Sequence, residues 1–400
     1  MSQQSRTASD EGALDLSRVK DVPTQVKSQD DRPLLVRPFA DSCLHDFGFQ
    51  WGGAEQVLAA LVDSSRSPTV EFVAGKQELV SSKFATRETK LLFPGLKTNL
   101  QARMAVPFFS RVIPRRIPMD GRVICSSYAV ARWVPTVEPR LIYCHSPMRQ
   151  IWHGYDTYSG RRSPEGWALR RLAGRLRSVD LAAGQPNDLV LVPSARVADL
   201  VRKTYGVAVH GVLPPPVPRE CFASSALARS MPGDYFIWVG RVVEPIKRLT
   251  ALLQVFAQLP GLRLKIVGDG RSSTHLRRLA PDNVEFVGWR DPAAVRRLVA
   301  HARALILPSM EDFGLSAAEA LALGVPVIAT PLAGIASHLH HEINGIVAGA
   351  EVDQLTEAIR RFRRDDLAPA EEISRMAQCF SAESFAQGVE EAAGKLSWLS

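Results

Sequence analysis

The chain has 400 residues, 46% of them hydrophobic, which is enough to bury a large core and suggests two domains rather than one. A net charge of +8 favours anionic partners, whether sugar nucleotides, phosphorylated or lipid-linked acceptors, an acidic membrane surface or nucleic acid, without choosing among them. The five cysteines are scattered with no Cys-x-x-Cys pair, so neither a zinc site nor a disulfide framework is indicated, and no run of about 18 apolar residues occurs to span a bilayer.

Residues 1–32 mix charges with Ser, Gln and Thr without an apolar period, and the expectation there is a disordered leader with no signal-peptide core. Short apolar runs then alternate with helical stretches. LLVRPF (34–39), VEFVA (70–74), RVICSS (122–127), RLIYCHS (140–146) and DLVLVPS (188–194) read as strands of a parallel sheet flanked by helices. VLPPPVP (212–218) can continue neither a helix nor a central strand, so it is the expected interdomain linker. A second series follows: YFIWVGR (235–241), LRLKIVGDG (262–270), VEFVGW (284–289), ALILPS (304–309) and PVIAT (326–330). The predicted architecture is α/β, two doubly wound Rossmann-like domains facing across a cleft, with a last helical segment from about Ala382 packing back across both.

The densest chemistry lies in EDFGLSAAEALALGVPVIA (311–329). Gly314 permits a tight turn out of a strand, and Ser316 to Leu323 reads as a helix closed by Gly324. The free N–H groups of its first turn, near Leu315 and Ser316, form an anion site suited to a diphosphate. Glu311 and Glu319 accept hydrogen bonds and repel phosphate, so their expected partners are hydroxyls: the ribose for Glu319 and a transferred sugar for Glu311. A capped surface helix with two solvated acids is the plainer alternative. In WVGRVVEPIKR the strand ends at Gly240, and Arg241 and Lys247 follow across a proline-bearing turn. No Asp-x-Asp is present to hold a divalent metal, so these cations are expected to neutralise the diphosphate in its place. One such charge pair at about 4 Å is worth about 4 kcal/mol at an effective dielectric of about 20.

These motifs occur in the order typical of family 4 glycosyltransferases, and the chain resembles that family over roughly residues 34 to 390. Its C-terminal half is similar to the donor domain of these retaining GT-B enzymes in the Gly-Arg strand end, the lysine six residues on, IVGDG, VEFVGW, PSMEDFG and the Glu-x7-Glu pair. Its N-terminal half is similar in WGGAE (51–55), YCHSPMR (143–149) and LVPSARVADLVRKTYG (191–206). The resemblance implies an acceptor domain over 33–213, a nucleotide-sugar donor domain over 214–381 and a closing helix over 382–400. It implies that Arg241 and Lys247 bind the diphosphate, Glu319 the ribose and Glu311 the donor sugar, while backbone from Val287 to Trp289 meets the base. Gly52 and Gly53 would allow close approach to phosphate and sugar, and His145 would bond a sugar hydroxyl or the β-phosphate.

The implied reaction moves a hexose from a UDP- or GDP-linked donor to an acceptor hydroxyl with retention and without a cofactor or metal, in bacterial glycan, glycolipid or glycosylated natural-product synthesis. Two departures stand out. Arg248 replaces a glycine after the lysine and is expected to add a cation near the donor, and AGIAS, with Ala333 and Ser337, replaces a Gly-Gly-x-x-Glu turn. Basic residues in 111–116 and 161–177 admit either a cationic helix docking on anionic lipid or an amphipathic helix packed on the sheet. Aromatics do not interleave with them as stacking platforms would, which argues against nucleic acid. Other readings left open are a GT-B epimerase or α-glucan phosphorylase, a non-catalytic sugar-nucleotide binder and a membrane-surface adaptor. The expected location is cytoplasmic, with any membrane contact peripheral, at the inner face of the plasma membrane.

Overall fold

The computed structural model describes residues 38–160, 164–223 and 233–398. The expected leader, the first residues of the 161–177 segment and the last two residues lie outside that set.

Two all-parallel sheets organise the chain. The first contains β1 (Ser42–Gly48), β2 (Thr69–Gly75), β3 (Glu88–Leu91), β4 (Val123–Ser127), β5 (Leu141–Cys144), β6 (Leu189–Val192) and β7 (Gly211–Val212), in the order β3-β2-β1-β4-β5-β6-β7. The second contains β8 (Tyr235–Val239), β9 (Arg263–Val267), β10 (Val284–Gly288), β11 (Leu305–Leu307), β12 (Val327–Ala329) and β13 (Gly345–Val347), in the order β10-β9-β8-β11-β12-β13. Both are doubly wound sheets, and the fold is two Rossmann-like α/β domains. Strand order reverses between β1 and β4 in one domain and between β8 and β11 in the other. Loops leaving the carboxyl ends of those four strands therefore flank a crevice in each sheet, where such folds bind ligands.

Successive strand residues feed opposite faces of each sheet, as a period of two requires. Leu44, Cys125 and Ile142 enter one core with Phe109 and Trp133, while Cys43, Ile124 and Leu141 enter another with Leu58 and Leu61. In the second domain Ile237 joins Leu321 on one side, and Phe236 and Trp238 join Phe256 on the other.

Of the run 34–39, residues 34–37 lie outside the described residues. Pro38 and Phe39 carry no strand, and the first described strand is Ser42–Gly48, buried along its whole length. Pro38 lacks the N–H a ladder needs, and His45 and Asp46 interrupt the apolar pattern by which SCLHDFG would have been recognised.

The chain leaves the first domain through 213–217, where Leu213 packs on the first sheet's core and Val217 is buried in the second. It returns alongside, the Val217 N–H donating to the Phe380 carbonyl at 2.9 Å. The helix Ala382–Lys395 then buries Phe385, Val389 and Ala393 with Leu58 and Leu61 of the first domain. Burying a phenylalanine there is worth about 1.5–3 kcal/mol.

Candidate active site

A cavity of about 760 Å³ lies between the two domains and is walled by the loops after β1, β4, β8 and β11. Of the residues singled out in the sequence, Gly53, His145, Gly240, Arg241, Lys247, Glu311, Gly314, Leu315 and Ser316 all line it.

At its centre the Lys247 ammonium donates to Oε1 of Glu311, both side chains being largely shielded from solvent. Glu311 is fixed by its backbone: its N–H donates to the Leu332 carbonyl at 3.3 Å and its carbonyl accepts from the Gly334 N–H at 3.0 Å. Arg241 is exposed in the cavity and has no acidic partner among the described residues. The helix Leu315–Ala322 starts immediately behind this group. Gly314 precedes it at φ +115, and a Cβ there would stand 2.7 Å from the Leu307 side chain, so the turn requires glycine. The N–H groups of Gly314, Leu315 and Ser316 have no acceptor among the described residues. A lysine, an arginine and a bare helix N-terminus on one wall form an anion site.

Glu319 sits one turn further along the same helix and does not reach the cavity wall. Burial pushes its carboxyl up to about 7, opposed by Arg296, and it has no hydrogen-bond partner among the described residues. Val287 and Trp289 also lie off the wall, Trp289 being 71% exposed just beyond β10. Arg248 does not add a cation to the site. Its guanidinium donates to the Ala350 carbonyl at 2.6 Å and its backbone holds φ +52, a left-handed conformation that glycine adopts more cheaply.

On the facing wall, Gly53 lies close to the other domain: a Cβ there would stand 2.6 Å from Leu315 Cδ1 across the cleft, so a side chain would require Leu315 to turn aside. The Gly52 N–H is already taken by Oε2 of Glu55 at 2.9 Å. Glu55 in turn lies 3.8 Å from His45 Nε2, and Ser126 Oγ bridges His45 Nδ1 at 3.0 Å and His145 Nε2 at 2.8 Å. His145 is thus held by its inner nitrogen. Burial, with His45 beside it, pushes its imidazole down to about 3, so at neutral pH it offers a neutral hydrogen-bonding group and no positive charge.

Sequence reasoning passed over Asp46 and Asp312. Asp46 is fully buried at the end of β1 and accepts backbone N–H groups from Tyr128 (2.6 Å), Ala129 (3.0 Å), Val130 (2.6 Å) and Ala131 (2.6 Å). Burial pushes its carboxyl up, while His45 and those N–H groups pull it down. It pins the loop that puts Tyr128 on the cavity wall. Asp312 bridges the domains: its carboxylate meets Arg149 at 2.5 Å and its carbonyl accepts from Ser194 Oγ at 2.6 Å. Arg149 and Asp312 both lie inside motifs the sequence analysis quoted, next to the residues it chose.

The basic segment uses its apolar face internally. In the helix Pro164–Ala182, Ala173 and Leu176 are buried, Arg177 donates to the Ile151 carbonyl at 2.6 Å and stacks on Tyr155, and Trp167 stays 58% exposed. Among the described residues no helix is long and apolar enough to cross a membrane, and no three His, Cys, Asp or Glu side chains converge as metal ligands.

Residues 233–365 match the family described as Glycosyl transferases group 1. The D-inositol 3-phosphate glycosyltransferase of Mycolicibacterium paratuberculosis is 32% identical over 173 residues, covering 40% of this chain and 39% of that protein. A GDP-mannose-dependent phosphatidylinositol monomannoside mannosyltransferase of Corynebacterium glutamicum is 33% identical over 130 residues, covering 30% of this chain and 34% of that protein. The chain therefore spans well under half the length of these curated relatives. Among solved structures, Alr3699/HepE of Anabaena in complex with UDP superposes with a TM-score of 0.62 at 18% identity, covering 89% of this chain and 100% of that one. The chain has the two-domain fold of the GT-B glycosyltransferases, and its residues 233–365 are similar to the family described as Glycosyl transferases group 1.

Proposed function

We propose that the chain is a retaining, metal-independent hexosyltransferase of the family 4 type, which moves a sugar from a nucleoside diphosphate to an acceptor hydroxyl. The observation that carries this reading is the single cavity wall on which Arg241, Lys247 and the bare N-terminus of the helix Leu315–Ala322 stand beside Glu311. A diphosphate placed there meets two cations and a helix dipole, and a sugar attached to it meets a carboxylate. The UDP and UDP-glucose complexes of the Anabaena structure support a nucleotide-sugar donor, and the names of the curated relatives support a phosphorylated or lipid-linked acceptor.

In the proposed reaction the bond from the anomeric carbon to the diphosphate oxygen breaks and a bond to the acceptor oxygen forms on the same face. The acceptor proton passes to the departing phosphate. Charge builds on the diphosphate as the sugar becomes oxocarbenium-like, and Arg241, Lys247 and the N–H groups of Leu315 and Ser316 stabilise it. Glu311 faces the sugar, His145 bonds a hydroxyl through its free nitrogen, and Glu319 takes the ribose once the donor is seated. Closure of the domains excludes water and limits hydrolysis.

The test is a thermal-shift screen against UDP, GDP, ADP and TDP and their sugar conjugates. One nucleotide should stabilise the wild type and fail with Glu319→Ala, and at a hundredfold excess over its Kd the gain is about 2.7 kcal/mol. Glu311→Gln should retain that shift and lose nearly all turnover. If no nucleotide shifts the protein, the donor reading is wrong.

A further inference from the structure

A second cavity, of about 670 Å³, opens off the first and shares Gly53, Tyr128, Arg103 and Arg241 with it as a common neck. Away from the neck its walls are largely apolar: Leu169, Leu172 and Leu176 from the helix Pro164–Ala182, Met104 and Val106 from the segment after β3, and Met148. Gln50 and Asn99 add two amides, Gln150 a third at the neck, and Glu55, whose Oε2 already accepts from the Gly52 N–H, a carboxylate. Its size is that of a site for a drug-sized molecule.

A bare sugar or inositol in this chamber would set its hydroxyls against aliphatic side chains with too few partners, whereas an apolar body loses nothing by leaving water there. The neck has the opposite character. Arg103 is exposed and has no acidic partner among the described residues, and Arg241 stands beside it, so an anion is complemented there. Because the neck is also the wall of the donor cavity, a molecule seated in the chamber presents its head where the sugar would be transferred.

We propose that the chamber seats the apolar body of the acceptor, an amphiphile whose hydroxyl and anionic group lie at the neck against Gly53 and Arg103. This rests on the glycosyl-transfer reading and specifies its acceptor class.

The probe is 8-anilinonaphthalene-1-sulfonate, titrated by fluorescence into the full chain and challenged with dodecyl phosphate or with inositol phosphate. One probe should bind per chain, dodecyl phosphate should displace it, and inositol phosphate should not. Leu172→Trp, which fills the chamber, should weaken probe binding at least tenfold, and Arg103→Gln should weaken dodecyl phosphate several-fold. If Leu172→Trp does not fold, Ala168→Phe narrows the same wall and carries the test. Nucleotide thermal shifts are measured on every variant: a retained shift with lost probe binding supports the chamber. Probe binding that survives a filled chamber, or displacement by inositol phosphate alone, overturns it. Loss of every nucleotide shift in the wild type would refute the glycosyl-transfer reading instead.

Discussion

Asp46→Asn should be among the most damaging single-atom exchanges in the first domain. Each carboxylate oxygen accepts two backbone N–H groups: Oδ1 from Val130 and Ala131, both at 2.6 Å, and Oδ2 from Tyr128 at 2.6 Å and Ala129 at 3.0 Å. An asparagine placed in either orientation sets its NH2 against two of these donors, so two charge-assisted bonds are lost and two N–H groups are left buried. At about 1.5–3 kcal/mol for each bond to a charged group, the loss is about 3–6 kcal/mol, a large share of the 5–15 kcal/mol typical of a folded protein. The freed segment carries Tyr128 and Ala129, which line the chamber, with Tyr128 also on the donor cavity, so turnover should fall with stability. Urea unfolding, read together with amide exchange of β1 and β4, measures the first effect. A stability loss below about 1 kcal/mol would show that the loop finds other partners and that Asp46 does not hold the wall.

Glu319 gives a pH signature. Its carboxyl holds a proton up to about 7 in the folded chain against 4.5 ordinarily, so the ligand-free protein should lose stability as pH rises through that window, by up to about 3 kcal/mol at 1.36 kcal/mol per unit. Tm against pH should show this slope in the wild type and lose it in Glu319→Gln; equal slopes would refute it. Gly334→Ala would place a Cβ 2.2 Å from the Asp312 carbonyl and 2.6 Å from Ser194 Oγ. It should break the Ser194 bridge at a cost of about 2–4 kcal/mol and open the cleft, seen as a larger radius of gyration by small-angle scattering. An unchanged radius would count against the bridge. Burial pushes the thiols of Cys125, Cys144 and Cys221 up to about 12 and that of Cys43 to about 11, whereas Cys379 is exposed. A disulfide reagent at neutral pH should label one thiol in the native protein and five in urea; rapid native labelling of several would contradict the burial.

The second domain was the more legible in sequence because its site is local. Gly240, Arg241 and Lys247 belong to one strand end, and Glu311 to Ser316 to the next across the sheet, so short motifs specify the wall. The facing wall is assembled from distant segments. Asp46 bonds residues more than eighty positions away, and the line from Glu55 through His45 and Ser126 to His145 draws on three strand ends. No spacing rule registers such pairings. Arg248 was misread because a cation adjacent in sequence to a site residue was assumed to share its direction. The left-handed turn at that residue aims it at Ala350 instead.

The two domains meet on both sides of the cleft, and the two meeting points are built differently. At the back the chain crosses twice, with 213–217 running beside Phe380, so the joint is covalent on both strands and tied by a backbone hydrogen bond. At the front a single residue, Asp312, carries both the Arg149 ion pair and the Ser194 hydrogen bond. A pair of this kind, part-buried and charge-assisted, is worth a few kcal/mol at most and is reversible, whereas the back can only bend. Rotation about the back therefore opens the cavity by breaking the Asp312 contacts and by separating Gly53 from Leu315 and Ser194 from Gly334. Asp312 follows Glu311 directly in the chain, so the residue that latches the cleft is rigidly linked to the carboxylate assigned to the sugar. On the proposed reading, a donor that pulled Lys247 towards its phosphates and moved Glu311 would also shift the latch, coupling occupancy of the site to closure of the domains.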